Sequence, residues 1–93
     1  MTPEIERQRA GRDAARNVLT VLARSMWIAD MSLGDVDRRN GWRTGVARGI
    51  LVALANGEDV SLRQIAQFAH ACGERLSVQL APLRKGEDEG KAP

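Results

Sequence analysis

Three helix-stop signals constrain what this sequence can fold into. Asn40-Gly41, Asn56-Gly57 and Gly73 each follow a run of apolar residues at helical spacing. A glycine just past such a run takes the left-handed conformation that closes a helix. Ahead of the first stop, Ala15, Val18, Leu19, Leu22, Ala23 and Met26 fall on one face at the helical period, which predicts a long helix over 3–29. Thr2-Pro3 supplies its cap and first turn, Gly11 weakens its middle, and Arg7, Arg9, Arg12, Arg16 and Arg24 lie mainly off the apolar face.

Shorter helices follow. Ser32 reads as an N-cap, and Asp35 three residues on suits the positive end of a helix over 32–40 with Leu33 and Val36 inward. A third helix is expected over 43–55; it is apolar nearly all round, and Gly45, Gly49 and Ala53 form a small-residue face. Ser61 and Gln64 read as a capping box for a fourth helix over 61–72, with Leu62, Ile65, Ala66, Ala69 and Cys72 inward. The period then changes. Leu76, Val78 and Leu80 alternate with Arg75, Ser77 and Gln79, a strand pattern over 75–81 that Pro82 ends. One strand cannot satisfy its own backbone, so it is expected to pair with its copy across a two-fold axis, with Leu76, Val78 and Leu80 as the dimer interface. The alternative is an extended segment packed on the first helix. Residues 84–93 are polar and read as a disordered tail. The expected fold is thus all-α: one domain over 1–83, four to five helices and a C-terminal dimerising β-strand.

Ninety-three residues bury only a thin core, which favours oligomerisation. With one Phe, two Trp and no Tyr, that core must be built from Leu, Ile, Val, Met and Ala. The formal charge is +2 but lopsided: residues 1–48 hold nine Arg against six acids, and residues 49–93 hold five basic against six acidic side chains. Twelve of the fourteen basic residues are Arg, the side chain suited to phosphate and guanine. This points towards nucleic acid; an Arg-rich solvated surface is the other reading. The lone Cys72 excludes an intrachain disulfide and suggests a reducing cytoplasm. No apolar run reaches the roughly 18 residues of a membrane span, and the N-terminus lacks a signal-peptide core.

From Met31 to Leu83 the sequence resembles the lambda-repressor-like, Xre-type helix-turn-helix proteins. "SLRQIAQFAHACGERL", residues 61–76, looks like that family's closing helix, with apolar positions at Ile65, Phe68, Ala69 and Cys72 before a Gly. "MSLGDVDRRNGW" resembles the first motif helix and its turn, and "RLSVQLAPL" resembles the strand appended in small prophage regulators and addiction-module antitoxins. There are departures. Leu33 stands where the family commonly has Gln, Asp37 stands where it favours Ala, and the stretch to Asn56-Gly57 is one helical turn longer than usual. With the turn at Gly41-Trp42, Arg43, Thr44, Gly45, Val46 and Arg48 fall where a recognition helix faces the groove. An alternative register, with Gly45–Arg48 at the turn, puts Asn40 and Thr44 at apolar positions and is less favoured.

The resemblance implies a cytoplasmic, bacterial or phage-encoded homodimer that binds double-stranded DNA as a transcriptional regulator, a repressor or autoregulator by default. Arg43, Thr44, Val46 and Arg48 are the candidate groove contacts; Arg38, Arg39 and Ser32 are candidate phosphate contacts. The alternative is a protein-interaction module on the same scaffold, binding a toxin, a polymerase or another regulator. Trp42 is expected to pack at the corner of the second and third helices, and Trp27 in the core or a dimer interface. His70 and Cys72 point about 200° apart on a helix and have no third partner, so no metal site is expected. No catalytic constellation is present, so neither an enzyme nor a cofactor is expected.

Overall fold

A computed structural model describes residues 3–80 and Pro82. Among these residues the chain forms four helices: α1 (Pro3–Ala29), α2 (Leu33–Asn40), α3 (Val46–Ala55) and α4 (Leu62–Ala71). None is long and apolar enough to cross a membrane. Each stop follows from local chemistry. Asp30, at φ 55°, closes α1, with its N–H donating to the Trp27 carbonyl at 3.2 Å and that of Met31 donating to Met26 at 3.0 Å. Asp tolerates this left-handed conformation better than most side chains. Gly41, at φ 66°, closes α2 in the manner its sequence predicts.

The core is built from all four helices. Leu22 of α1, Val36 of α2, Ala47, Ile50 and Leu54 of α3, and Ile65, Phe68, Ala69 and Ala71 of α4 are buried, together with Cys72. Phe68 and Val36 are wholly enclosed. The core is mainly aliphatic, as the composition suggests, with the Phe68 ring enclosed within it. Burial pushes the Cys72 thiol above its ordinary pKa and keeps it protonated.

Four details differ from the sequence reading. On α1, Ala23 is exposed and Ser25 is buried, so the packed face is rotated towards Ala15, Val18, Leu22, Ser25 and Ala29. Polarity concealed this position, although a small Ser side chain fits between close helices. On α4, Leu62 is 66% exposed and Phe68 is fully buried. Leu62 is the first residue of the helix and overhangs the body, whereas Phe68 sits two turns in, between the other elements. The capping boxes are also exchanged. The complete box is Ser32–Asp35: the Asp35 N–H donates to Ser32 Oγ at 3.1 Å, and the Ser32 N–H donates to Asp35 Oδ2 at 2.9 Å. At Ser61 only the forward half exists, with the Gln64 N–H donating to Ser61 Oγ at 3.1 Å.

The fourth difference is the C-terminal strand, which does not form. Residues 74–80 are neither helix nor strand, and the last backbone hydrogen bond among the described residues joins the Glu74 N–H to the Ala69 carbonyl. Leu76 folds inward against the core while Val78 and Leu80 stay exposed. The three residues therefore differ in burial within the single chain. A strand is defined by its partner, and among the described residues no second extended segment is available to pair with it. Residue 81, the expected strand end, and the expected tail at 84–93 lie outside the described residues.

The two tryptophans diverge. Trp42 is half-buried against the core, at the corner between α2 and α3 as its position suggests. Trp27 is 85% exposed and takes no part in the core.

Candidate nucleic-acid interface

The corner between α2 and α3 is organised by Asp37. This residue is 4% exposed, on the inner side of α2 beside Val36. Its carboxylate accepts the Gly45 N–H on Oδ2 at 2.9 Å and the Ala47 N–H on Oδ1 at 2.8 Å. It thus caps α3 from another helix, where Gly45 at the N-cap position has no side chain to do so. A carboxylate at the positive end of a helix is electrostatically matched, and two charge-assisted hydrogen bonds offset the cost of burying it.

That cap fixes where α3 begins. The helix starts at Val46, three residues later than the sequence suggests, because Gly45 adopts φ 99°, which is incompatible with helix continuation. The Val46 N–H donates to the Arg43 carbonyl at 3.2 Å, so 43–46 is a separate turn. The connection between α2 and α3 is correspondingly longer than a Gly41-Trp42 turn, and the extra turn of helix expected over 43–45 does not exist.

The seven candidate contacts separate accordingly. Arg43 and Thr44 are exposed in the turn, and Arg48 is exposed on the first turn of α3. Neither Arg43 nor Arg48 forms an ion pair among the described residues. Val46 is half-buried and packs against the core, so its side chain is not offered to a groove. Arg39 donates from Nη1 to the Ala71 carbonyl at 3.1 Å, bracing α2 against the end of α4. Arg38, with its side chain 73% exposed, is paired with Asp35. Ser32 is exposed, but its hydroxyl serves as the α2 cap.

The electrostatics discriminate between the two helix starts and the side chains around them. At the α2 start, the Ser32 backbone N–H, the Ser32 hydroxyl and Arg38 hold the Asp35 carboxyl below its ordinary pKa, so a carboxylate stands there. At the α3 start, the Asp37 carboxylate occupies two of the amides. Neither helix start is therefore an open anion site, and the cationic groups left to hold a phosphate at this corner are arginine side chains. Asp37 is the functional residue that sequence reasoning missed. Its signal was visible as an acid directly after the inward-facing Val36, but its target lies eight and ten residues downstream.

The outward surface of α3 is plain. Gly49, Val52 and Ala55 are exposed beside Arg48, and a Cβ built on Gly45 or Gly49 meets nothing within 4 Å. Gly49 is thus not a close-packing contact among the described residues; it lies on an exposed, nearly uncharged surface. No protein-family model matches the sequence, and neither the curated proteins nor the solved structures compared with it include a similar chain.

Proposed function

We propose that this chain is a helix-turn-helix DNA-binding regulator that works as a homodimer, with the α2–α3 corner laid on double-stranded DNA. The observation that carries this reading is the exposure of Arg43, Thr44 and Arg48, with neither arginine in an ion pair among the described residues, around a corner clamped by Asp37. An arginine can fork onto guanine in the major groove or hold a phosphate. A fixed corner presents both arginines without a large ordering cost on binding. Arg38, exposed although paired with Asp35, is the flanking phosphate contact. Ser32, Arg39 and Val46 have structural work of their own and are not part of this contact set.

The test is binding of the full chain to the promoter DNA of its own operon and to scrambled DNA, at two salt concentrations. Specific binding that weakens steeply with salt is expected. Replacing both Arg43 and Arg48 with Ala should abolish discrimination while leaving the helical circular dichroism unchanged. No binding at low salt overturns the reading.

A second reading is favoured by a different observation: the face of α3 formed by Gly49, Val52 and Ala55 carries no charge beyond Arg48. Such a face suits a protein partner better than base edges, whose readout needs polar side chains. Loss of partner binding by Gly49→Leu, with DNA binding absent in the unmodified chain, is the result that selects it.

A further inference from the structure

α1 has two faces, and the described residues use only one. Leu22 and its neighbours pack on the body, while Ala10, Ala14, Val21 and Ile28 are exposed, Val21 at 59% and Ile28 at 65%. Ala14, Val21 and Ile28 are seven residues apart, so they drift only about 20° around the helix per step. Ala10, Asn17 and Arg24 fill the intervening positions at steps of three or four, the spacing of a helix–helix seam. We propose that a second copy of this chain packs its α1 antiparallel against this face.

Charge selects both the occupant and the direction. In a parallel pair, Arg24 would face Arg24 and Arg7 would face Arg7, and like charges in a seam repel. In an antiparallel pair with Val21 opposite the second copy's Ala14, Arg24 lies within two residues, about 3 Å of helical rise, of the second copy's Asp13. Both residues lie on the same flank of the seam, so the two-fold axis makes the pair twice. Neither Arg24 nor Asp13 forms an ion pair within the chain among the described residues. Ile28 then lies along the aliphatic stem of the second copy's Arg7. Small Ala14 and Ala10 admit Val21 and the Arg24 stem. The overlap from 7 to 28 extends for about 33 Å. It packs the first half of α1, whose residues 3–14 are all exposed in the single chain.

This interface rests on the dimeric part of the reading above and not on DNA, and its test contains no DNA. Sedimentation of the full chain over a concentration series should show a reversible species of twice the monomer mass. Val21→Glu with Ile28→Glu should give a monomer with unchanged helical circular dichroism, since both positions are exposed. Arg24→Glu and Asp13→Arg should each weaken the dimer about tenfold, while the two together restore it, which a parallel pair would not do. A chain that is monomeric at every concentration, a dimer indifferent to the two glutamates, or a double charge swap without recovery overturns the proposal. If the dimer forms and promoter DNA does not bind, the DNA reading fails and this one stands.

Discussion

The α2–α3 corner and the first half of α1 are opposites within one small chain. At the corner, a short α2 is held by a complete capping box at its start and a left-handed Gly41 at its end, and a buried carboxylate fixes the helix that follows. In α1, residues 3–14 are regular helix with no buried residue, and Gly11 has nothing within 4 Å of where a Cβ would stand. The corner is determined by contacts that cross between elements. The first half of α1 is determined mainly by propensity and by continuity with the packed turns after it, with the Arg12 side chain lying alongside Gly57. A region of the first kind resists change until one key group is removed; a region of the second kind tolerates local change and is open to a partner.

Asp37→Ala is the strongest way to break this contrast. It leaves the buried Ala47 amide and the Gly45 amide without their acceptor, at an expected cost of about 2–3 kcal/mol in urea denaturation. Amide spectra should show the change concentrated at 43–48. Asp37→Asn, which retains one acceptor oxygen, should cost less.

Ser32→Ala should cost about 1 kcal/mol, because the α2 cap is an exposed side chain. It should also raise the Asp35 pKa back towards the ordinary carboxylate range, read by NMR titration of its carboxyl carbon. The sign is fixed by linkage. A carboxyl depressed in the folded state contributes its full stabilisation above its unfolded pKa and loses it as pH falls through the folded value. The capping box therefore weakens on the acid side only, and pH changes around neutrality leave it intact.

Gly49→Ala should stabilise the chain by up to about 1 kcal/mol, since the site is helical and open. A thermal melt that falls instead would show that something within the chain approaches this glycine closely. Gly11→Ala is the smallest effect. It should raise helical circular dichroism yet shift the denaturation midpoint by less than about 0.5 kcal/mol, because the turns around it are barely coupled to the core. A larger shift appearing only at high protein concentration would sharpen the comparison, by showing that a second copy has joined the two regions.

Much of the fold was legible in the sequence because its signals are short-range. Ser32, Gly41, Ser61 and the Leu22–Met26 periodicity act over at most a turn or two, so composition and spacing place four helices within a few residues. The departures have a common cause. Ser25 rather than Ala23, Phe68 rather than Leu62, and the later start of α3 all depend on which neighbouring helix lies opposite, and spacing alone does not encode that. The candidate site was legible in part. Arg43, Thr44 and Arg48 are exposed, the first two in the turn before α3 rather than on it, whereas Arg39, itself exposed, bonds to the end of α4 and Val46 packs against the core.

By itself the sequence determined the helical class, the stops between elements, the mainly aliphatic core, and the Arg-rich first half. Only the tertiary structure decided the role of Asp37. Burying a carboxylate is unfavourable unless donors converge on it, and here the two donors come from a turn and a helix that meet it only once α2 and α3 are packed. The tertiary structure likewise decided the state of residues 75–80, because alternation creates a strand only when a second edge is present to receive its hydrogen bonds.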